Sequence, residues 1–90
     1  MSENRIPESV LAANLQSEAV LLHMDTKRYY QLNETGQFIW RLLEQRKSAQ
    51  EIVAELVTTY DVSSDVAAAE YERLIRDLGA HGLVESAEGR

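Results

Sequence analysis

The chain contains no cysteine, which excludes disulfides, thiolate metal sites and a cysteine nucleophile together. Proline occurs once, at Pro7, so no proline breaks a helix or strand beyond the amino-terminal arm. No apolar run approaches the roughly 18 residues needed to cross a bilayer. The polar opening "MSENRIPES" lacks the basic and apolar regions of a secretory signal. These absences predict a cytoplasmic chain with no membrane partner. Positive charge is also scarce, with 9 Lys and Arg against 15 Asp and Glu and a formal charge of -6. Nucleic-acid affinity comes largely from Lys and Arg releasing counterions from phosphates, and no concentrated basic face is visible, so a nucleic-acid partner is disfavoured.

What is present is an ordinary globular composition, 44% hydrophobic and 27% charged over 90 residues. A chain this short buries one core and roughly 60 to 65% of its unfolded surface, so residues 1–90 form a single domain. The core is expected over about 10–85, with residues 1–8 and 86–90 frayed.

Val10 to Leu15 and Glu18 to Met24 are short apolar stretches separated by the polar "NLQS" and closed by "DTK", which predicts a hairpin. The third strand is expected over Lys27 to Leu32, with Arg28, Tyr30 and Leu32 on one face and Tyr29 and Gln31 on the other. Asn33 follows at once and suits the N-cap of a helix, with Glu34 where the dipole favours negative charge. Gly36 costs about 1 kcal/mol relative to Ala in a helix, and its expected use is close approach of the strand just left behind or of a crossing helix. Ile39, Leu42 and Leu43 form the apolar stripe of that helix, flanked by Phe38 and Trp40.

A second helix opens with "SAQE", where Ser48 and Glu51 stand in capping-box relation, and buries Ile52, Val53, Leu56, Val57 and Tyr60. A third begins near Ser63 or Ser64 and carries Tyr71, Leu74, Ile75 and Leu78 on one side. Gly79 or Gly82 can end it in the left-handed conformation, and Leu83 and Val84 are expected to return as a short extended segment. The fold class is therefore α+β, a winged helix-turn-helix-like domain with a three-stranded antiparallel sheet followed by three helices.

Catalytic signatures are missing. There is no phosphate loop, no dinucleotide fingerprint, no "HExxH" and no serine elbow. His23 and His81 have no neighbour at metal-ligand spacing. The chain is expected to be non-enzymatic, with no cofactor and no metal. A helix-turn-helix raises the alternative of a DNA-binding regulator. The third helix argues against it, because Asp65, Glu70, Glu72 and Asp77 outnumber Arg73 and Arg76 where phosphates would approach.

"YYQLNETGQFIWRLL", "SAQEIVAELVTTYDV" and "YERLIRDLGAHGLV", in that order, resemble the PqqD-like family over about Leu21 to Val84. No single motif is decisive, but three at the right spacing are fairly specific. The resemblance implies a recognition element for ribosomally made, later modified peptides: it binds the leader segment of a precursor and presents the core to a modifying enzyme. Acidic stand-alone versions of this length resemble the split recognition protein of lasso-peptide pathways, which works with a leader peptidase and a cyclase. A chaperone for a radical SAM enzyme in quinone cofactor biosynthesis is the alternative within the family, and the "MDTKRYY" stretch departs from that relative.

The resemblance further implies that the leader adds as an antiparallel strand beside the third strand and leans on the third helix. Independently, a three-stranded sheet has two edges with unpaired main-chain groups. The expected site comprises Lys27, Arg28, Tyr29, Tyr30, Gln31 and Leu32 from the strand, with Tyr71, Leu74 and Leu78 lining a groove and Glu70 and Asp77 on its rim. Several residues of this lining, Tyr30 among the candidates, could equally be plain core. The chain itself is expected to be a monomer or weak homodimer.

Overall fold

The computed structural model describes residues 4–86. Eight elements follow in order: β1 Asn4–Arg5, β2 Val10–Asn14, β3 Ala19–His23, β4 Arg28–Leu32, α1 Glu34–Glu44, α2 Ala49–Tyr60, α3 Ser64–Ala80 and β5 Glu85–Ser86. The three central strands form an antiparallel meander in the order β2-β3-β4, and three helices follow, as the polar and apolar pattern requires.

Residues of alternate parity separate cleanly in this sheet. Leu21 and Leu32 are buried while Leu11 and Tyr29 are open to solvent. In register, Leu21 stands opposite Tyr30 and Leu22 opposite Tyr29. The helices therefore cover only the face that carries Tyr30 and Leu32. Beneath it lie Ile39, Trp40, Leu42 and Leu43 of α1, Ile52 and Leu56 of α2, and Ala67, Tyr71 and Leu78 of α3. Val53, Val57, Tyr60, Leu74 and Ile75 are only partly buried, at the margin of this core.

Each helix start is fixed by a side chain. Asn33 accepts from Gly36 N–H, Ser63 accepts from Val66 N–H, and Ser48 and Glu51 form the full capping box. The end of α3 is a Schellman arrangement, with Leu83 N–H donating to the Leu78 carbonyl at 2.9 Å and Gly82 at φ +72°. Gly82, not Gly79, takes the left-handed conformation.

Three expectations are corrected. Residues 4–5 are not frayed: β1 pairs antiparallel with β5, Asn4 opposite Ser86 and Arg5 opposite Glu85. Tyr71 explains part of this, because its buried hydroxyl accepts a hydrogen bond from Asn4 Nδ2 at 3.0 Å. Residues 6–8 are not frayed either, since Ile6 packs against the core and the Pro7 carbonyl accepts from Val10 N–H, while residues 1–3 and 87–90 lie outside the described residues. Leu83 and Val84 are buried and the extended segment begins two residues later than expected, at Glu85. Lys27 lies outside the third strand: it has φ 63° and donates its N–H to the His23 carbonyl, closing the hairpin turn.

Candidate functional site

The sheet order leaves β4 at an edge, paired on one side only. Hydrogen-bond parity decides which of its groups point outward. Met24 N–H donates to the Ser9 carbonyl at 2.7 Å and Leu15 N–H to the Glu18 carbonyl at 2.8 Å, so the even-numbered residues of β3 face β2. Ala19, Leu21 and His23 therefore face β4 and occupy its Leu32, Tyr30 and Arg28. The N–H and C=O groups of Tyr29 and Gln31 are left pointing away from the sheet.

The junction with α1 holds this edge rigid. A Cβ built on Gly36 would stand 3.1 Å from Leu32 Cδ2 and 3.3 Å from Leu32 Cβ, closer than ordinary contacts. The bare glycine lets the first turn of α1 lie directly on the end of β4, while Asn33 Oδ1 ties the same turn at 2.9 Å. This is what the close succession of strand and helix in "RYYQLNETG" achieves.

Beside β4 runs a cleft of about 100 Å³, bounded by Tyr30, Gln31 and Leu32, by Asn33, Thr35, Gly36 and Ile39, and by Glu70, Arg73 and Leu74 of α3. It exists because α3 packs chiefly against α2 and stands off the strand. Tyr30 closes its upper end. The Tyr30 hydroxyl donates to Asp77 Oδ2, and its ring meets His81 edge-on with centroids 5.2 Å apart. Burial, the hydrogen bond to Asp77 and the negative charge of that carboxylate push the Tyr30 phenol up to about 12, against a weaker opposing effect of Arg73. It stays neutral and keeps donating throughout the physiological range. Glu70 and Arg73 form an ion pair at 2.8 Å whose side chains are largely exposed, so it orients the wall more than it stabilises it.

The structure brings Tyr30, Gln31, Leu32, Glu70 and Leu74 together around this cleft, with Asp77 adjoining through Tyr30. Arg28 and Tyr29 lie on the same edge but are exposed, Tyr29 at 72%. Leu78 has no exposure, and Tyr71 is buried with its hydroxyl turned to Asn4, so both stand behind the cleft wall and not in it. Arg73, Thr35 and His81 were missed. Arg73 and His81 stand one helical turn from Glu70 and Asp77, and Thr35 lies in the first turn of α1 just past β4, which periodicity alone does not single out.

The two histidines have local roles. His23 Nδ1 accepts from Asp25 N–H at 3.2 Å and steadies the hairpin turn. His81 is the C-cap of α3, with Nδ1 2.8 Å from the Asp77 carbonyl oxygen. Among the described residues no group of three His, Cys, Asp or Glu could hold a metal ion.

An antiparallel meander backed by three helices, with one strand edge exposed beside the last helix, defines the winged-helix type of α+β domain. A family model described as coenzyme PQQ synthesis protein D (PqqD) matches residues 18–84, and the chain belongs to this family. Among solved structures it is similar to one described as TbiB1 in complex with the TbiA(beta) leader peptide. The two share 33% identity with a TM-score of 0.87, over 90% of this chain and 94% of that one. It also shares the fold of a lasso peptide synthetase B1 complexed with the leader peptide. Identity there is 24% and the TM-score 0.83, over 91% and 96% of the two chains. No curated protein matches the chain in sequence.

Proposed function

We propose that this protein is a non-catalytic recognition element that binds the leader segment of a ribosomally made precursor peptide and delivers it to a leader peptidase or another modifying enzyme of lasso-peptide type. The observation that carries the reading is the open β4 edge: outward main-chain groups on Tyr29 and Gln31, set beside a cleft whose far wall is α3. The 33% identical relative was solved with a leader peptide, which supports a peptide as the occupant.

In this mode an extended peptide pairs with Tyr29 and Gln31, and its alternate side chains enter the cleft against Tyr30, Leu32 and Leu74, with Glu70 and Asp77 at the rim. Arg28 flanks the start of the strand and Lys27 the turn before it, charges of the kind that keep an edge from pairing with itself. Tyr71 and Leu78 hold α3 in place from behind. Four outward main-chain groups at about 1 kcal/mol net each barely offset an association cost of about 4 to 15 kcal/mol. The cleft must therefore supply both the remaining affinity and the selectivity.

The experiment is a titration of labelled protein with a panel of leader peptides, including the TbiA(beta) leader, followed by backbone amide shifts. Binding should move the amides of Tyr29 and Gln31 together with those of Glu70 to Asp77. A leader that binds while residues 28–32 stay unperturbed defeats the reading.

A further inference from the structure

The apolar surface of α2 runs further round the helix than the core requires. Ile52 and Leu56 are buried, but Val53 and Val57 are only half-buried and Ala54 is exposed. Facing them on α3 stand Ser64, exposed, and Ala68, half-buried. Together they bound an open groove of about 540 Å³ between the two helices, with Tyr71 at its floor and Gln50, Thr58 and Glu72 along its margins.

The walls decide what can lie here. Val53, Ala54 and Val57 stand inside α2 and Ala68, Tyr71 and Glu72 inside α3, so their main-chain groups are spent on the helices' own hydrogen bonds. An extended segment lying against them would leave its own N–H and C=O groups without partners on that side. A helix satisfies its own. The α2 wall from Ala49 to Thr58 is about 14 Å long at 1.5 Å per residue, enough for about two and a half turns of a docked helix. Ala54, Ser64 and Ala68 are small, so the bulk that fills the groove comes from the partner.

Charge narrows the partner further. From Ala49 to Ala80 the sequence holds seven Asp and Glu against two Arg and no Lys, a formal -5 out of the chain's -6. Glu72 is the only charged residue lining the groove, and no ion pair of Glu72 occurs among the described residues. Of the two cations, Arg73 lines the β4 cleft and is held there by Glu70 at 2.8 Å, and Arg76 lies outside the lining. We infer that this groove docks an amphipathic helix of a second protein, with large apolar side chains one turn apart on the face that enters and Lys or Arg flanking them beside Glu72. A second copy of this chain fits poorly. Its α2 and α3 would bring the same excess of carboxylates to the groove, and the exposed positions of its α1 are Glu34, Arg41 and Glu44, none of them apolar. On α3, Glu70, Arg73 and Leu74 line the β4 cleft while Ser64, Ala68 and Glu72 line this groove, so the docking does not rest on what occupies β4 and both can be filled at once.

The probes are blocked 16-residue alanine-based peptides with two Leu four residues apart and Lys flanking that face, long enough to populate a helix. Matched peptides carry Ala for Leu, Glu for Lys, or Pro at the centre. Backbone amide shifts of the labelled full chain are followed during titration. The Leu and Lys peptide should shift Ala54 and Ala68 saturably. Replacing Leu by Ala should weaken binding by about tenfold or more, replacing Lys by Glu by about two- to fivefold for each exposed ion pair, and the central Pro should abolish it. Ala54→Arg, at an exposed helical position where Arg is a good helix former, fills the groove and should remove binding while leader affinity at β4 is unchanged. Glu72→Lys should remove the preference for Lys over Glu. The inference is overturned if no peptide moves Ala54 and Ala68, if the Ala or Pro peptides bind as tightly, or if Glu72→Lys leaves the preference as it was. It is overturned equally if Ala54 and Ala68 shift with protein concentration alone, which would make a second copy the occupant.

Discussion

At β4 the strand runs straight into the N-cap of α1, begins with Arg28 and faces a small cleft walled partly by Gln31, Asn33, Thr35, Glu70 and Arg73. At β2 the strand leaves a proline turn, carries no charge and faces a cleft of about 260 Å³ in which Arg5, Glu44 and Arg46 stand beside Ile6, Val10 and Ala12. The same three strands make both margins, so the difference lies in what stands behind each. A tight polar cleft beside a rigid edge rewards one register and one set of side chains, since a misplaced residue leaves polar groups unpaired. The wider cleft at β2 mixes apolar with charged walls and has no rigid strand-to-helix junction beside it. The first suits recognition of a specific peptide.

The contrast breaks most directly at the α3 wall. Leu74 is only partly buried, so Leu74→Asp should fold, and it removes an apolar anchor worth about 1.5 to 3 kcal/mol. Leader affinity measured by calorimetry should fall about ten- to a hundredfold. Gln31→Pro removes one outward donor from β4 and should cost about tenfold in leader affinity. Ala12→Pro, the matching change at β2, should alter leader affinity by less than about twofold, consistent with additivity of distant sites. Equal losses from the two prolines would mean that both act by disturbing the sheet.

Smaller effects separate the two ends of the β4 cleft. Tyr30→Phe deletes the hydrogen bond to Asp77 and should lower stability by about 0.5 to 1.5 kcal/mol in denaturant melts. Because burial and Asp77 push the folded-state phenol up to about 12 from its ordinary value of 10.0, its contribution is fully present below about pH 10 and is lost as pH rises from 10 toward 12. The wild type should therefore lose stability over that window more steeply than the Phe variant, while burial raises Tyr60 and Tyr71 in the same direction in both. The smallest effect concerns salt. Main-chain and apolar affinity should change little between low and moderate ionic strength, whereas an affinity that drops by orders of magnitude would indicate phosphate contacts and revive the DNA-binding reading.

The sequence made the helix starts and the sheet faces readable because each rests on local chemistry. Asn33, Ser48 and Ser63 are caps, and Tyr29 and Tyr30 separate by strand parity alone. Gly36 was legible as a point of close approach for the same reason: only a missing Cβ explains a glycine in a first turn lying on Leu32. What escaped depends on contacts distant in sequence. The β1-β5 ribbon joins residues 80 and 82 positions apart through two short segments with no periodicity, and its anchor, Asn4 to Tyr71, spans 67. Gln37 reads as a solvent-facing polar residue in α1, yet it is buried and donates to Asn14 Oδ1 and the Leu15 carbonyl, bracing the β2-β3 turn. Which side of α3 Tyr71 and Leu78 occupy follows from α3 packing on α2, and a helical stripe does not reveal that choice.

Hydrogen exchange of the Tyr29 and Gln31 amides, free and saturated with a bound leader, tests the central claim most directly. Both point to solvent at a strand edge in the free protein, and both should become strongly protected in the complex while Ala12 and Asn14 remain unchanged. Protection appearing at Ala12 and Asn14 instead, with Tyr29 and Gln31 still exchanging freely, would contradict the account.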